Sequence, residues 1–173
     1  MIAFAWVPGI ITTLLVYAFP VRVLGIDYGR RRIGLALSDA TGLLARPWKT
    51  IDAGGDSARV AAALASEVTT LLAEPDGLGA IAFGYPRRLN GQANEQTAAV
   101  EAIVGVLRLL VSVPVVLQDE RLSSREAESL LARREKDWRK RKPLLDAVSA
   151  AVILQDYLDE RTHAPRETEG GSR

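Results

Sequence analysis

The amino-acid sequence predicts a single α/β domain built on a mixed β-sheet. Three short apolar segments follow one another from Val21, which predicts an antiparallel meander of three strands. Helical patterns then alternate with two further strand-like segments, as is typical of parallel additions to a sheet. The chain has 173 residues, of which 48% are apolar. This is enough for one sizeable core and too little for two ordinary domains.

Each of the first elements has its own signal in the sequence. The three strands of the meander are VRVLGID, RIGLALSD and GLLARPWKTI. Asp56 is expected to cap a first helix that ends before Pro75 and has apolar residues at nearly four-residue spacing: Val60, Leu64, Val68 and Leu71. The fourth strand, AIAFGYP, precedes a second helix with one apolar stripe: Val100, Ile103, Val104, Leu107 and Leu110.

The C-terminal third adds one strand and two helices. The fifth strand is PVVLQ, after which Ser123 and Glu126 form a capping box that predicts another helix. Pro143 is expected in the first turn of a last helix that runs to about Glu160. Residues 161–173 are polar and contain glycine, which predicts a disordered tail.

The first twenty residues differ from the rest of the chain. Residues 1–20 contain no charged side chain and are about as long as a membrane span. A secretory signal is disfavoured because the first basic residue, Arg22, follows the apolar stretch and does not precede it. Two interpretations stay open: a membrane anchor, or an over-extended start to a chain that naturally begins near Val21. We favour the second, with residues 21–160 as the folded domain and the cytoplasm as its location.

Composition limits the chemistry of an active site. The chain has no Cys and one His, His163, which excludes disulfides, thiolate metal sites and catalysis by paired imidazoles. A metal ion would therefore have to bind carboxylate oxygens. The formal net charge of +1 conceals two basic clusters, residues 30–32 and 133–142, which indicate a local anionic partner.

Three acidic residues occupy positions from which their side chains can converge. Asp27 ends the first strand, and Glu120 directly follows the fifth, at the same end of what we expect to be adjacent parallel strands. Asp146 is expected within about the first turn of the last helix, ahead of the apolar run AVSAAVIL. Structural alternatives are a turn cap for Asp27 and a favourable charge at a helix N-terminus for Asp146.

Four sequence blocks resemble one protein family. The blocks GIDYGRRRIGLALSD, FGYPRRLNG, DERLSSREAE and KRKPLLDAVSAAVILQDYL, in this order and spacing, are similar to the YqgF (RuvX-like) family. These bacterial proteins have the ribonuclease H-like fold and are regarded as pre-16S rRNA nucleases, formerly as Holliday junction resolvases. The resemblance runs from about Val21 to Leu158. It implies a five-stranded mixed sheet with helices on both faces, and Asp27, Glu120 and Asp146 as catalytic and metal-binding residues.

The chemistry of phosphodiester hydrolysis agrees with such a site. The reaction needs an activated water, stabilisation of charge on the phosphate oxygens and help for the leaving alkoxide, and divalent cations on carboxylates supply all three. The general scheme of the fold implies Mg²⁺ or Mn²⁺, with Asp27 bridging two ions while Glu120 and Asp146 each bind one. A single ion is the alternative.

Basic residues in four loops adjoin the three acids and predict a rim that binds nucleic-acid phosphates. They are Arg30, Arg31, Arg32, Arg87, Arg88, Arg121, Arg139, Lys140, Arg141 and Lys142. Among them, Trp138 is expected either to stack on a base or to pack against the core. Asp119 is expected either to support the metal ligands or to bind Arg121.

These observations predict a metal-dependent nuclease that acts on structured nucleic acid and needs no small-molecule cofactor. The resemblance favours pre-16S rRNA, with branched DNA as the alternative substrate. A nucleotide-dependent phosphotransferase of the actin and sugar-kinase class is disfavoured, because that class closes two lobes around ATP. A non-catalytic RNA-binding assembly factor is disfavoured by the intact set of acids, which would repel phosphates.

Overall fold

The structure, a computed structural model, describes most of the chain: residues 21–86, 95–119 and 138–163, with side chains except at residues 95 and 138–144. The predictions for the apolar leader and for the helix beginning at Ser123 lie outside the described residues. Within the described ranges, no helix has the length and apolar character needed to span a membrane.

Five strands form one mixed sheet in the order β3-β2-β1-β4-β5. Strands β1, β2 and β3 pair antiparallel, and β4 and β5 are added parallel to β1. The predicted meander with two parallel additions is therefore confirmed. The strands are β1 (Val23–Tyr28), β2 (Arg32–Ser38), β3 (Ala45–Asp52), β4 (Ala80–Tyr85) and β5 (Val115–Asp119).

One expectation about the sheet is wrong. We expected the strands that end near Asp27 and Glu120 to be adjacent, but β4 lies between β1 and β5. Since neighbouring strands are about 4.8 Å apart, the carboxyl ends of β1 and β5 are separated by roughly 10 Å.

Helices cover both faces of the sheet, as the fold class predicts. The described helices are α1 (Ser57–Leu72), α2 (Glu95–Leu110) and α3 (Trp138–His163). Helices α1 and α2 bury one face in the larger core, which contains Leu24, Ile26 and Phe83 from the sheet. Helix α3 covers the other face, where Val23 and the small side chains of β2 and β4 form a second, thinner core.

The sequence signals of α1 and α2 are largely confirmed. The Asp56 carboxylate accepts a hydrogen bond of 2.8 Å from the backbone N–H of Arg59, which caps α1. The apolar stripes of both helices are buried, except that Leu110 is 52% exposed. Our placement of Leu110 on the buried stripe is wrong: it is the last residue of α2, and Leu107, one turn earlier, is the last residue of the stripe that is buried.

Helix α3 is longer than the sequence suggested. It begins at Trp138, five residues before Pro143, which we expected in its first turn. Proline removes one backbone hydrogen bond from a helix interior, but the four positions before it hold Arg and Lys, which favour helix. The helix also continues to His163, so residues 161–163, which we expected in a disordered tail, are helical. The rest of that expected tail lies outside the described residues.

Helix α3 lies very close to the sheet at two glycines. A Cβ atom on Gly25 would lie 2.7 Å from the Cβ of Leu154 and 2.8 Å from the carbonyl oxygen of Ala150. A Cβ atom on Gly34 would lie 1.8 Å from the carbonyl oxygen of Asp146. No side chain fits in such gaps, so the absence of a Cβ at these positions fixes how near the helix comes.

We predict that Gly34→Ala destabilises the protein and moves α3 away from β2. The added methyl group overlaps backbone that cannot rotate aside, and overpacking of this kind costs about 1–3 kcal/mol or more. Urea unfolding measures the decrease in the free energy of unfolding. Gly105→Ala in α2 is the control, because a Cβ there meets nothing within 4 Å. That variant should be stabilised by about 0.5–1 kcal/mol, since alanine favours helix. Equal stability of the two variants would contradict the close approach at Gly34.

Candidate active site

Asp27 is the fifth residue of β1 and lies on the face of the sheet that α3 covers. Successive side chains of a strand point to opposite faces. Leu24 and Ile26 belong to the larger core, whereas Val23 belongs to the core beneath α3 and Gly25 contacts that helix. Asp27 shares the face of Val23 and Gly25, so its carboxylate lies beside α3.

Asp146 reaches the same place from the other end of the chain. Asp27 pairs with Gly34 across β1 and β2, and residues directly opposite in an antiparallel pair have Cβ positions about 5 Å apart. Gly34 is also the point where the backbone of Asp146 contacts the sheet. The register of β1 and β2 and the close approach of α3 therefore bring these two predicted acids together.

The two acids interact electrostatically. Burial, together with the negative charge of Asp146, raises the pKa of Asp27 from 3.8 to about 6. A hydrogen bond from the hydroxyl of Ser149 acts in the opposite direction and lowers the pKa of Asp27. At neutral pH the site therefore holds two closely spaced negative charges that are only partly compensated.

Arg32 provides part of that compensation. Its Nε atom lies 2.8 Å from Oδ2 of Asp146. Oδ2 is buried and accepts no well-aligned hydrogen bond from the described residues, so the contact is an ion pair without good hydrogen-bond geometry. We predicted Arg32 as a phosphate-binding residue, and the structure places its guanidinium beside the acid pair.

Ser149 was not identified from the sequence. It is 4% exposed and lies three residues after Asp146 in α3, on the side that faces Asp27. The available signal was a single hydroxyl in the otherwise apolar run AVSAAVIL, because a buried hydroxyl needs a hydrogen-bond partner.

We expected Asp146 in the first turn of its helix, and this expectation is wrong. Asp146 is eight residues after Trp138, the first residue of α3. The effect of the helix dipole falls off within the first turn. A favourable charge at the helix N-terminus therefore does not explain an acidic residue at position 146. The proximity of Asp27 and Arg32 is the feature that distinguishes this position.

Several other predicted site residues lie outside the described residues: Glu120, Arg87, Arg88 and Arg121. Arg30 and Arg31 are exposed in the turn after β1. Asp119 pairs with Tyr85, which packs on the core of α1 and α2, so Asp119 lies on the face opposite Asp27. This register gives no support to Asp119 as a residue that supports metal ligands. The backbone of Trp138, Arg139, Lys140, Arg141 and Lys142 is helical.

The donors at this site suit a hard divalent cation. Within the described ranges, no group of three potential metal-ligating side chains occurs. The candidate ligands in these ranges are the two carboxylates of Asp27 and Asp146. The buried Oδ2 of Asp146 accepts no aligned hydrogen bond from the part of the chain that the structure describes. Mg²⁺ and Mn²⁺ prefer such oxygen ligands and also offset the repulsion between two acids. The residues present therefore fit the metal that the fold class implies.

A mixed five-stranded sheet in this order, with helices on both faces, is the ribonuclease H-like fold that the sequence predicted, and paired carboxylates lie beside its central strand. The model of the RuvX family, described as Holliday junction resolvase, matches residues 21–160. The chain belongs to the RuvX family.

Proteins from several bacteria are similar over most of their length. A Chloroflexus aggregans protein named "Putative pre-16S rRNA nuclease" is 37% identical over 139 residues, covering 80% of this chain and 94% of the relative. A Bacillus pumilus protein of the same name is 37% identical over 141 residues, covering 80% and 97%. The structure of T. thermophilus RuvC in complex with a Holliday junction substrate has a TM-score of 0.48 and 19% identity, covering 83% of this chain and 96% of that one.

We predict that Asp27→Asn stabilises the metal-free protein at pH 8. A carboxyl group whose pKa rises on folding favours the folded state when protonated, so its contribution falls as the pH rises from 3.8 through about 6. The neutral amide of asparagine does not ionise, so the variant keeps this part of the free energy of unfolding, which is up to about 3 kcal/mol. Urea unfolding in EDTA at pH 4 and pH 8 measures the effect, which should vanish at the lower pH.

The matched control for this comparison is Asp76→Asn, which changes an exposed carboxylate far along the chain. It should leave the stability nearly unchanged at both pH values. If Asp27→Asn were less stable than the wild type at pH 8 in EDTA, the repulsion described between Asp27 and Asp146 would be wrong.

We predict that Ser149→Ala moves the pH dependence of metal binding to higher pH. Loss of the hydroxyl removes a hydrogen bond to the ionised form of Asp27, so the pKa of Asp27 rises further and protons compete more strongly with the cation. Mn²⁺ titrations between pH 5 and pH 8 give the pH at which Mn²⁺ binding is half-maximal, which is the midpoint compared here. Ser66→Ala, an exposed position in α1, should show no change; an unchanged midpoint in Ser149→Ala would disprove the hydrogen bond's role.

Proposed function

We propose that this chain is a metal-dependent nuclease that processes the 5′ end of pre-16S rRNA in the cytoplasm. The observation that carries the proposal is the meeting of Asp27 and Asp146, in a site where the pKa of Asp27 rises to about 6. A partly buried pair of acids whose charges are only partly compensated is costly for stability, and such pairs are concentrated at functional sites. Membership of the RuvX family supports the nuclease assignment.

In this proposal, Asp27, Asp146 and Glu120 hold one or two Mg²⁺ or Mn²⁺ ions. Gln118, two residues before Glu120 in the sequence, lies on the α3 side of β5 and donates a hydrogen bond of 3.0 Å to Glu160 in that helix. Glu120 lies outside the described residues, and its place in this set rests on its position directly after β5 in the sequence and on the family resemblance.

The chain's own residues bind and orient the reacting groups. Asp27, on the rigid central strand, and Asp146, on the helix packed against it, hold their carboxylates at fixed positions. Ser149 orients the carboxylate of Asp27 by its hydrogen bond. Bound divalent cations supply an activated water, stabilisation of charge on the phosphate and assistance to the leaving alkoxide.

Basic residues beside the acids are proposed to bind the phosphate backbone. Arg30 and Arg31 are exposed directly after β1. Residues 139–142 precede Asp146 in the same helix by four to seven positions, which is about 6–11 Å along the axis. Contacts to phosphates give affinity and orientation but little base specificity. The preference for pre-16S rRNA therefore rests on the named relatives. Branched DNA is the second candidate, from the description of the family.

We predict that the purified protein cleaves a structured nucleic acid with Mg²⁺ or Mn²⁺ and is inactive in EDTA. Asp27→Asn and Asp146→Asn should each reduce cleavage at least about a hundredfold, because each removes a proposed metal ligand. The assay compares pre-16S rRNA precursor, a four-way DNA junction and single strands in parallel. Asp76→Asn is the control and should cleave as the wild type does.

The substrate that is cut in an Asp27-dependent manner decides between the candidates. Cleavage of the precursor at its 5′ end supports the proposal, and selective cleavage of the junction supports the resolvase alternative. RNA binding without cleavage would favour an assembly factor, and tight ATP binding would favour a phosphotransferase. Equal cleavage by the wild type and by both Asn variants would overturn the proposed site.

A further inference from the structure

We propose that Arg32 is an internal counter-ion that occupies the acid pair in the metal-free protein and leaves it when a divalent cation binds. Arg32 thereby competes with the metal and sets its affinity. The inference rests on the proposed function, because it assigns a metal to Asp27 and Asp146, and it adds a residue that regulates how readily that site is filled.

The ion pair uses an oxygen that the metal also needs. Nε of Arg32 lies 2.8 Å from Oδ2 of Asp146, which is buried and accepts no aligned hydrogen bond among the described residues. Mg²⁺ binds oxygen at about 2.0–2.1 Å and demands nearly ideal octahedral geometry. A guanidinium in contact with the same oxygen repels a divalent cation and takes up space that its ligands require.

The backbone of Arg32 is fixed while its side chain has access to solvent. Its carbonyl oxygen accepts a hydrogen bond of 3.0 Å from the N–H of Gly29, and its Cα is in register with Asp52 of β3. The Arg32 side chain is 37% exposed, compared with 28% for Asp146. Rotation of the side chain can therefore move the guanidinium outward without moving β2. It then lies at the mouth of the site, where an arginine binds phosphate by paired hydrogen bonds.

A counter-ion of this kind has a physical role in the empty site. Asp27 and Asp146 come together because Gly34 admits α3, so their repulsion is present whether or not a metal is bound. The positive charge of Arg32 keeps both acids close in the metal-free protein, and the arrangement that the metal requires is ready before the metal arrives.

The test is the affinity for Mn²⁺ measured by calorimetry on the full chain. Arg32→Gln removes the charge and keeps a polar side chain of similar length. It should bind Mn²⁺ roughly three- to tenfold more tightly than the wild type, because the metal no longer displaces an ion pair. Its metal-free form should melt at a lower temperature, and Mn²⁺ should raise its melting temperature by more than in the wild type.

The sign of the change separates this proposal from a purely structural role. A residue that merely supports the fold would weaken metal binding when it is lost. Arg31→Gln is the matched control: it removes one positive charge from the same turn, but its side chain is exposed. Its gain in affinity should be much smaller. Arg32→Lys keeps the charge and should bind Mn²⁺ nearly as weakly as the wild type.

Two results would overturn the counter-ion role: Mn²⁺ affinity of Arg32→Gln equal to or below that of the wild type, or an equal gain in Arg31→Gln. If Asp27→Asn still abolishes Mn²⁺ binding in that case, the proposed function stands and only the role of Arg32 falls. If the wild type binds no Mn²⁺ and cleaves no nucleic acid, both proposals fail together.

Discussion

Two carboxylates can be held side by side in a partly buried site only if packing forces them together and other groups offset their repulsion. In this chain, the packing is that of α3 on the sheet. Gly34 has no side chain, so the helix backbone at Asp146 reaches the strand pair directly opposite Asp27. Ser149 and Arg32 offset part of the repulsion, while burial and, after it, the charge of Asp146 raise the pKa of Asp27.

The free energy that holds this arrangement comes from contacts elsewhere along α3. The helix packs on Gly25 through Ala150 and Leu154. Beyond that point, the amide of Gln155 accepts a hydrogen bond of 2.9 Å from the backbone N–H of Ala45 in β3. A third attachment joins Glu160 to Gln118 in β5 at 3.0 Å. One helix is thus attached to both edges of the sheet, on the face opposite the larger core of α1 and α2.

Local signals in the sequence predicted much of the fold, whereas contacts between distant segments were harder to predict. The meander and the Asp56 cap depend on alternation and on capping, which neighbouring residues specify. Asp27 and Asp146 were singled out by their positions at the end of a strand and in the last helix, the resemblance implied their role as metal ligands, and the structure brings them together. The helix start was misplaced because Pro143 resembles a first-turn proline, although the basic residues before it continue the helix. Ser149 was missed because its role depends on a hydrogen bond to Asp27, a residue far away in the sequence.

The order of the segments along the chain adds a consequence for how the protein matures. Asp27 belongs to the first strand and Asp146 to the last helix, so the two halves of the acid pair are the earliest and latest described elements to be synthesised. A polypeptide that stops before α3 contains all five strands but has neither Asp146 nor the helix that covers Asp27. Any fragment released early from the ribosome would therefore lack the acid pair, and completion of the chain is the event that assembles it.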